Sequence, residues 1–298
     1  MNQHPSDTGS PKRAKRPFFL RVYRYLRFRI VAARDPIEWY TRKALFLGKP
    51  WLRNRFGQYY QPISWREFRY MRYGNPELRE SLLMEKTLGA GMKVVDVGAN
   101  HGLFALEASH LIGPTGIVYG FEPAPATAAQ LKMILKRNAI SNVVIEEAAV
   151  GGFCGEVQLR IHETRTGLNT LAKRDILWQG KILHADRVVS IPQITLDTFV
   201  ERIGITHVDV LKIDVEGFEL GVLQGASSLL KRKAVSFIML EIDEGTYGNA
   251  DVDPRSVVEE IERHDYSLYE ITADGECGDR VGLDHRFSPS ANYLAKPN

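Results

Sequence analysis

At 298 residues, with 44% hydrophobic residues and a formal net charge of +3, the chain is long enough for one full α/β domain and an extension. Two cysteines, Cys154 and Cys277, exclude a disulfide framework and make a reducing, cytoplasmic compartment the expectation. Charge is unevenly divided: residues 1–80 carry 18 Lys/Arg against 6 Asp/Glu and the remainder 21 against 30, the pattern of a basic arm joined to an acidic main domain.

Residues 1–17, rich in Pro, Ser, Lys, Arg and Gly, read as a disordered basic tail. Residues 18–75 read as a basic, aromatic-rich helical extension with turns at Gly48-Lys49-Pro50 and Gly74-Asn75-Pro76. Arg21, Arg24, Arg27 and Arg29 interrupt the apolar run over 18–33, which excludes a membrane span or a cleaved signal there. Wound as a helix, Phe19, Val22, Tyr23, Leu26, Ile30 and Ala33 share one face. That suits a helix lying on an anionic membrane surface, at the inner membrane face. It suits equally a basic helix packed on the acidic domain, or a solvated arm. Nucleic acid is not the expected partner, because no recognition motif accompanies the charge.

From residue 76 to 298 strand-like and helix-like segments alternate. A helix over 77–88 ends at Gly89-Ala90-Gly91. Strands over 93–97, 117–121 and 142–146 are separated by helices over 103–111 and 124–138. Residues 151–192 are less regular: a strand over 156–161, a polar loop, a strand over 187–191. Then come a helix over 195–202, a strand over 208–214, a helix over 217–231 and a strand over 235–242. Beyond Pro254 lie a helix to His264, a strand over 267–271, a loop and a last strand over 292–296. Apolar strands alternating with helices predict a Rossmann-like, mostly parallel sheet with helices on both faces.

Two runs carry the chemistry. Val94-Val95-Asp96-Val97-Gly98-Ala99-Asn100-His101-Gly102 is an apolar strand that turns through Gly-x-x-x-Gly into a helix, and such a turn offers backbone N–H groups to an anion. Gly120-Phe121-Glu122-Pro123 ends the next strand in a carboxylate able to accept both hydroxyls of a ribose. The dinucleotide fingerprint G-x-G-x-x-G is absent, so a smaller anion such as the carboxylate of S-adenosylmethionine suits the turn better than a pyrophosphate. The plainer alternative is a turn that only links strand to helix. Asp96, Glu122, Glu146 or Glu147, Asp214 and Glu241 all stand at strand ends, where open α/β sheets bind ligands, and are expected to converge.

Together with Glu-Ala-Ala-Val-Gly (147–151), Ile-Thr-Leu-Asp (194–197), Asp-Val-Leu-Lys-Ile-Asp-Val-Glu-Gly-Phe-Glu (209–219), Val-Leu-Gln-Gly-Ala (222–226) and Leu-Glu-Ile (240–242), these runs resemble the FkbM family of S-adenosylmethionine-dependent methyltransferases. The resemblance covers about residues 76–245 and implies a class I methyltransferase fold, with methyl transfer to a hydroxyl of a sugar, glycan, glycolipid or natural product. It departs at His101, where the family usually has an aliphatic residue. Carried over, Asp96, Gly98, Asn100 and Gly102 would cradle the methionine part of the cofactor. Glu122 would take the ribose, Pro123 would lie against the adenine, and Glu147 or Glu146 would take the adenine amino group. Asn169 and Thr170 fall in a stretch, Gly167-Leu168-Asn169-Thr170-Leu171, that the resemblance places near the site.

The acceptor hydroxyl must lose a proton, and Asp214 is the first choice of base, with Glu216, Glu241 and His101 as alternatives. Each has a structural rival: Asp214 as a helix cap, Glu216 as a partner of the helix dipole, His101 as a satisfied turn residue. Lys212 is expected to neutralise a neighbouring carboxylate. Asp214 and Glu241 would also suit a divalent cation, but no further ligand cluster is readable and no obligatory metal is expected. The competing functions are a nicotinamide-dependent oxidoreductase and a binding module that keeps S-adenosylmethionine without turnover.

Overall fold

The computed structural model describes residues 51–62 and 78–298, apart from 164, 173–174, 179–180, 243–246, 248–249, 251 and 288–290. The disordered tail and the arginine-bearing helix expected over residues 1–50, and the end of the extension over 63–77, lie outside the described residues.

Residues 51–62 were expected to be helical and are instead a short antiparallel hairpin, β1 (Leu52–Arg53) and β2 (Tyr59–Tyr60). The reason is local. Asn54 Oδ1 accepts the N–H groups of Phe56 and Gln58, and Gly57 adopts a left-handed φ of +78°, so the chain turns back. Tyr60 is then buried with Leu106, Leu131 and Ile134, and Asn138 bonds both the N–H and the carbonyl of Tyr59.

The alternation that follows is the one expected. Helix α1 (Leu78–Thr87), β3 (Lys93–Val97), α2 (Leu103–Ile112), β4 (Ile117–Phe121), α3 (Pro125–Arg137) and β5 (Val143–Glu146) form the first half. Next come β6 (Ala149–Val150), β7 (Gly155–Ile161), β8 (Ile176–Trp178), β9 (Lys181–Leu183), β10 (Arg187–Ile194) and α4 (Leu196–Ile203). The second half is β11 (Val208–Ile213), α5 (Glu219–Gln224), α6 (Ser227–Lys231), β12 (Val235–Ile242), α7 (Arg255–Arg263), β13 (Tyr266–Ile271), β14 (Cys277–Val281) and β15 (Ala291–Pro297).

One eight-stranded sheet runs β14-β13-β15-β12-β11-β3-β4-β5. The five strands from β12 to β5 are parallel, and β15 enters antiparallel between β12 and β13. From β3 the chain first winds outward through β4 to β5, then returns to lay β11 on the other side of β3. The boundary between β3 and β11 is therefore the switch point, where the strand ends splay and leave a crevice. The strands expected over 156–161 and 187–191 are present as β7 and β10, and β6, β8, β9 and β14 add strands that the sequence did not announce. Residues 149–194 form a separate three-stranded sheet, β6-β10-β7; β8 and β9 pair as a hairpin within the polar loop; β14 extends the main sheet.

The helix expected over 217–231 is two helices. Gly225 lies against the Gly151 backbone so closely that a Cβ there would stand 2.1 Å from the Gly151 carbonyl oxygen. The Asp197 carboxylate accepts the N–H groups of Ser228 and Leu229, at 2.7 and 3.0 Å, and starts the second helix. Among the described residues no helix is long and apolar enough to cross a membrane.

Phe199 of α4 is 1% exposed and meets Phe121 edge-on at 4.8 Å and Tyr119 at 5.4 Å, tying that helix under the site. Phe199→Ala should cost about 3–5 kcal/mol and lower the unfolding midpoint by on the order of 10 °C, read by circular dichroism.

Candidate active site

The site is built where β3 and β11 end. Asp214 donates its N–H to the Val97 carbonyl at 3.0 Å, and Gly98, at φ +84°, lies against the next peptide so closely that a Cβ there would stand 1.9 Å from the Asp214 carbonyl oxygen. Two more left-handed residues, Asn100 at φ +48° and Gly102 at φ +81°, carry the chain into α2, which opens with no side-chain cap. At Gly102 a Cβ would meet Leu131 Cδ1 at 2.1 Å, so this position requires glycine.

The first amides of the turn are spent within the fold. Gly98 and Ala99 both donate to the Phe121 carbonyl, at 3.0 and 2.9 Å, and Asn100 donates to Glu122 Oε2 at 2.9 Å. Ala124 donates to Glu122 Oε1, also at 2.9 Å. The turn is folded inward on β4, and what it orients is the Glu122 carboxylate. Glu122 is 5% exposed. Burial pushes its carboxyl up to about 7, against the pull of the two backbone donors, and the Asp96 charge adds to the rise.

Asp96 sits beneath the site and does not line it: it is 0% exposed and stands in register with Lys212 on β11. Lys212 Nζ is 3.4 Å from Asp96 Oδ1 and 3.1 Å from Asp214 Oδ2, and 5.4 Å from the centre of the Phe104 ring. Burial raises the Asp96 carboxyl, and the ammonium pulls it partly back. Burial would also lower Lys212, but the charges of Asp214 and Asp96 outweigh it and hold the ammonium above its ordinary value. The bland reading of Asp214 as a cap of the next helix gives way: its carboxylate turns to Lys212. The loop beyond is shaped by Glu219 instead, a buried residue that sequence reasoning missed. Its Oε1 accepts the N–H groups of Val215 and Gly217, at 3.1 and 3.3 Å, around Glu216 at φ +53°. Its signal lay in the spacing Glu216-Gly217-Phe218-Glu219, where an acidic side chain at a helix start can bond back to the turn before it.

These elements enclose a cavity of about 460 Å³. Gly98, Asn100, His101, Gly102, Glu122, Pro123, Asp214, Glu216 and Glu241 all line it, as does Lys212. Glu147 does not; it pairs with Lys132 at the surface, and Glu146 pairs with Arg202. The strand they end is the sheet's edge, so their carboxylates reach cations on α3 and α4 rather than the crevice. Glu80, Glu107 and Asn292 were not foreseen. They come from α1, α2 and β15, and meet the cavity beside Met84, Phe104 and Met239. Asn292 faces Glu241 across the sheet and donates to Glu80 Oε1 at 3.1 Å, while Arg55 of the hairpin holds Glu107 at 2.9 Å.

Residues 166–171 form the remaining wall. Asn169 and Thr170 line the cavity, but their side-chain oxygens accept the N–H groups of His162 and Ala172 and so fix their own segment. His101 is 3% exposed, and its Nε2 lies 2.9 Å from Thr166 Oγ1. Among the described residues no group of three or more His, Cys, Asp or Glu is placed to hold a metal ion.

A strand-end crevice, a glycine turn that aims a buried carboxylate, and the Asp-Val-Glu-Gly loop opposite match a family model described as the methyltransferase FkbM domain, over residues 96–268. The chain belongs to the FkbM methyltransferase family. A 31-O-demethyl-FK506 methyltransferase of Streptomyces tacrolimicus is 32% identical over 159 residues, 46% of this chain and 60% of that protein. Methyltransferase 1 of Beauveria bassiana is 27% identical over 143 residues, 44% of this chain and 57% of that protein. Methyltransferase sdnD of Sordaria araneosa is 27% identical over 154 residues, 44% of this chain and 59% of that protein. The chain thus spans less than two thirds of the length of the curated relatives it matches. Family membership sets aside the nicotinamide alternative.

The cofactor of this FkbM domain is S-adenosylmethionine, and the residues present suit it. The cavity is large enough for a nucleoside cofactor. Each Glu122 oxygen accepts one backbone N–H and keeps a lone pair that a ribose hydroxyl could fill. A ribose held on Glu122 would favour its ionised form, and binding would then release its proton. Affinity for S-adenosylhomocysteine should therefore weaken as pH falls below about 7 and level off above it. Glu122→Gln should bind roughly tenfold to a hundredfold more weakly at pH 8 and lose that pH dependence, read by calorimetry.

Proposed function

We propose that this domain methylates a hydroxyl oxygen of a neutral small molecule: a sugar, a glycan, a glycolipid or a natural product. The observation that carries this reading is that one cavity joins Glu122 at the end of β4 to Asp214 and Glu241 at β11 and β12, on opposite sides of the switch point. The cofactor's ribose belongs at the first end, which leaves the second for the acceptor. Acceptor-side carboxylates Asp214, Glu216 and Glu241 suit a ligand that presents hydroxyl protons. The printed name of the Streptomyces relative, a 31-O-demethyl-FK506 methyltransferase, agrees with oxygen as the acceptor atom.

S-adenosylmethionine supplies a methyl group already activated on a sulfonium, so the chain needs no covalent intermediate. The chain's task is to hold the acceptor oxygen in line and take its proton. Asp214 is the proposed base, its side chain 36% exposed and steadied by Lys212 at 3.1 Å. Glu241 and Glu216 line the same region and would hold the acceptor's other hydroxyls. Met84, Phe104 and Met239 give the carbon skeleton an apolar wall.

Asp214→Ala should keep S-adenosylhomocysteine affinity within about twofold yet lower methyl-ether formation by about 10²–10⁴-fold, measured with methyl-labelled cofactor on a panel of neutral glycosides and polyketide-type alcohols. Full turnover in that variant would refute the base assignment. Binding without turnover by the wild type on every acceptor would favour the non-catalytic module.

We also propose that the basic arm over 18–75 meets an anionic membrane surface from the cytoplasmic side, supported by its sequence, in which Arg21, Arg24, Arg27 and Arg29 would flank one apolar face if the segment were wound as a helix. The full chain should sediment with phosphatidylserine vesicles at low salt, and the variant with all four arginines changed to Glu should not; equal sedimentation would refute the proposal.

A further inference from the structure

We propose that His101 is a positioning residue: with Asn100 it fastens the wall formed by residues 166–171 to the glycine turn, and this clasp sets how long the cofactor stays in the cavity. The proposal rests on the reading that the cavity holds S-adenosylmethionine.

Three side chains make the clasp. Thr166 Oγ1 donates to Asn100 Oδ1 at 3.2 Å, and the same oxygen lies 2.9 Å from His101 Nε2. A hydroxyl has one hydrogen. Since Thr166 gives it to Asn100, the contact with His101 requires the imidazole to donate, which puts a proton on Nε2. The ring is 3% exposed, so that nitrogen is committed to the wall and is not offered to an acceptor hydroxyl as a base.

The clasp joins two parts of the site that are braced separately. On one side, Asn100 and His101 belong to the turn whose Asn100 N–H orients Glu122. On the other, residues 166–171 line the cavity in an unbroken run. They form a unit of their own: a 3₁₀ turn over Thr166–Leu168, the bridge of Thr170 to Arg160, and the bonds from His162 to Asn169 and from Ala172 to Thr170. A segment so braced moves as one body, and Thr166 stands at its leading end. Opening the cavity on this side breaks the Thr166 contacts and leaves a buried imidazole donor without its partner. The barrier to cofactor exchange therefore contains the clasp.

The test measures dissociation of S-adenosylhomocysteine from the full chain by stopped flow, with thermal unfolding to confirm that each variant is folded. His101→Leu and Thr166→Val should each speed dissociation about tenfold. The double variant should be no faster than Thr166→Val alone, because that change already removes the contact with His101 along with the one with Asn100. His101→Gln, whose amide can still donate, should return the rate to within about threefold of wild type. Independently of any cofactor, nitrogen-15 imidazole spectra should show the proton of His101 on Nε2. Unchanged rates, effects that multiply in the double variant, a Gln variant as fast as Leu, or a proton on Nδ1 alone would each overturn the clasp. If His101→Leu does not fold, Thr166→Val and His101→Gln decide it. Failure of the wild type to bind S-adenosylhomocysteine would overturn the cofactor reading, and the imidazole spectrum would still decide the clasp.

Discussion

The site depends on the closeness of two strand ends. Gly98 and the carbonyl of Asp214 approach so nearly that one added methyl group would occupy the oxygen's place. That contact holds β3 against β11 just where the chain changes direction in the sheet, and everything functional hangs from it. The turn after Gly98 sends its first amides to Phe121 and the next to Glu122, which sets the direction of that carboxylate. Asp214, on the other side of the contact, is placed by its own N–H on Val97. A shift between the strands would move both ends of the cavity at once.

Charge follows from the same geometry. Asp96 and Lys212 face each other across the β3–β11 boundary, and the ammonium also reaches Asp214, so one partly buried cation serves two carboxylates. Without it, Asp96 would be an ionised group at 0% exposure, a state that costs several kcal/mol and that a carboxyl escapes by taking up a proton. Glu122 and Glu219 are already pushed up to about 7 by burial. The domain thus holds acidic groups where water would not favour them, which is reasonable around a cofactor that carries a positive sulfonium. Such an arrangement costs stability, as is common where perturbed acids gather in a cleft.

The walls are contributed by parts of the chain that are remote in sequence. The small sheet β6-β10-β7 carries the segment that closes one side, while α1, α2 and β15 bring Glu80, Glu107 and Asn292 to the other. The hairpin at 51–62 adds Arg55, which balances Glu107. The shared core supports the Glu122 end of the cavity, and these additions shape the end beside Glu241.

The parallel sheet was legible because its strands are short apolar runs ended by glycine or acidic residues, a local pattern that needs no knowledge of partners. So were the glycine turn, Glu122 and Asp214, since each stands at a strand end and topology carries strand ends to one edge. Other features were decided only by tertiary structure. Glu147 reads like Glu122 in the sequence, but its strand is the outermost, and a cation on a neighbouring helix draws its carboxylate away. The first amides of the glycine turn are taken up only once β4 is laid beside them. The helix read over 217–231 breaks because a distant glycine backbone presses on Gly225. Sequence determines what a residue can do with its neighbours in the chain; which groups it meets from β15, α1 or the 166–171 wall is set by packing, and no local pattern encodes that.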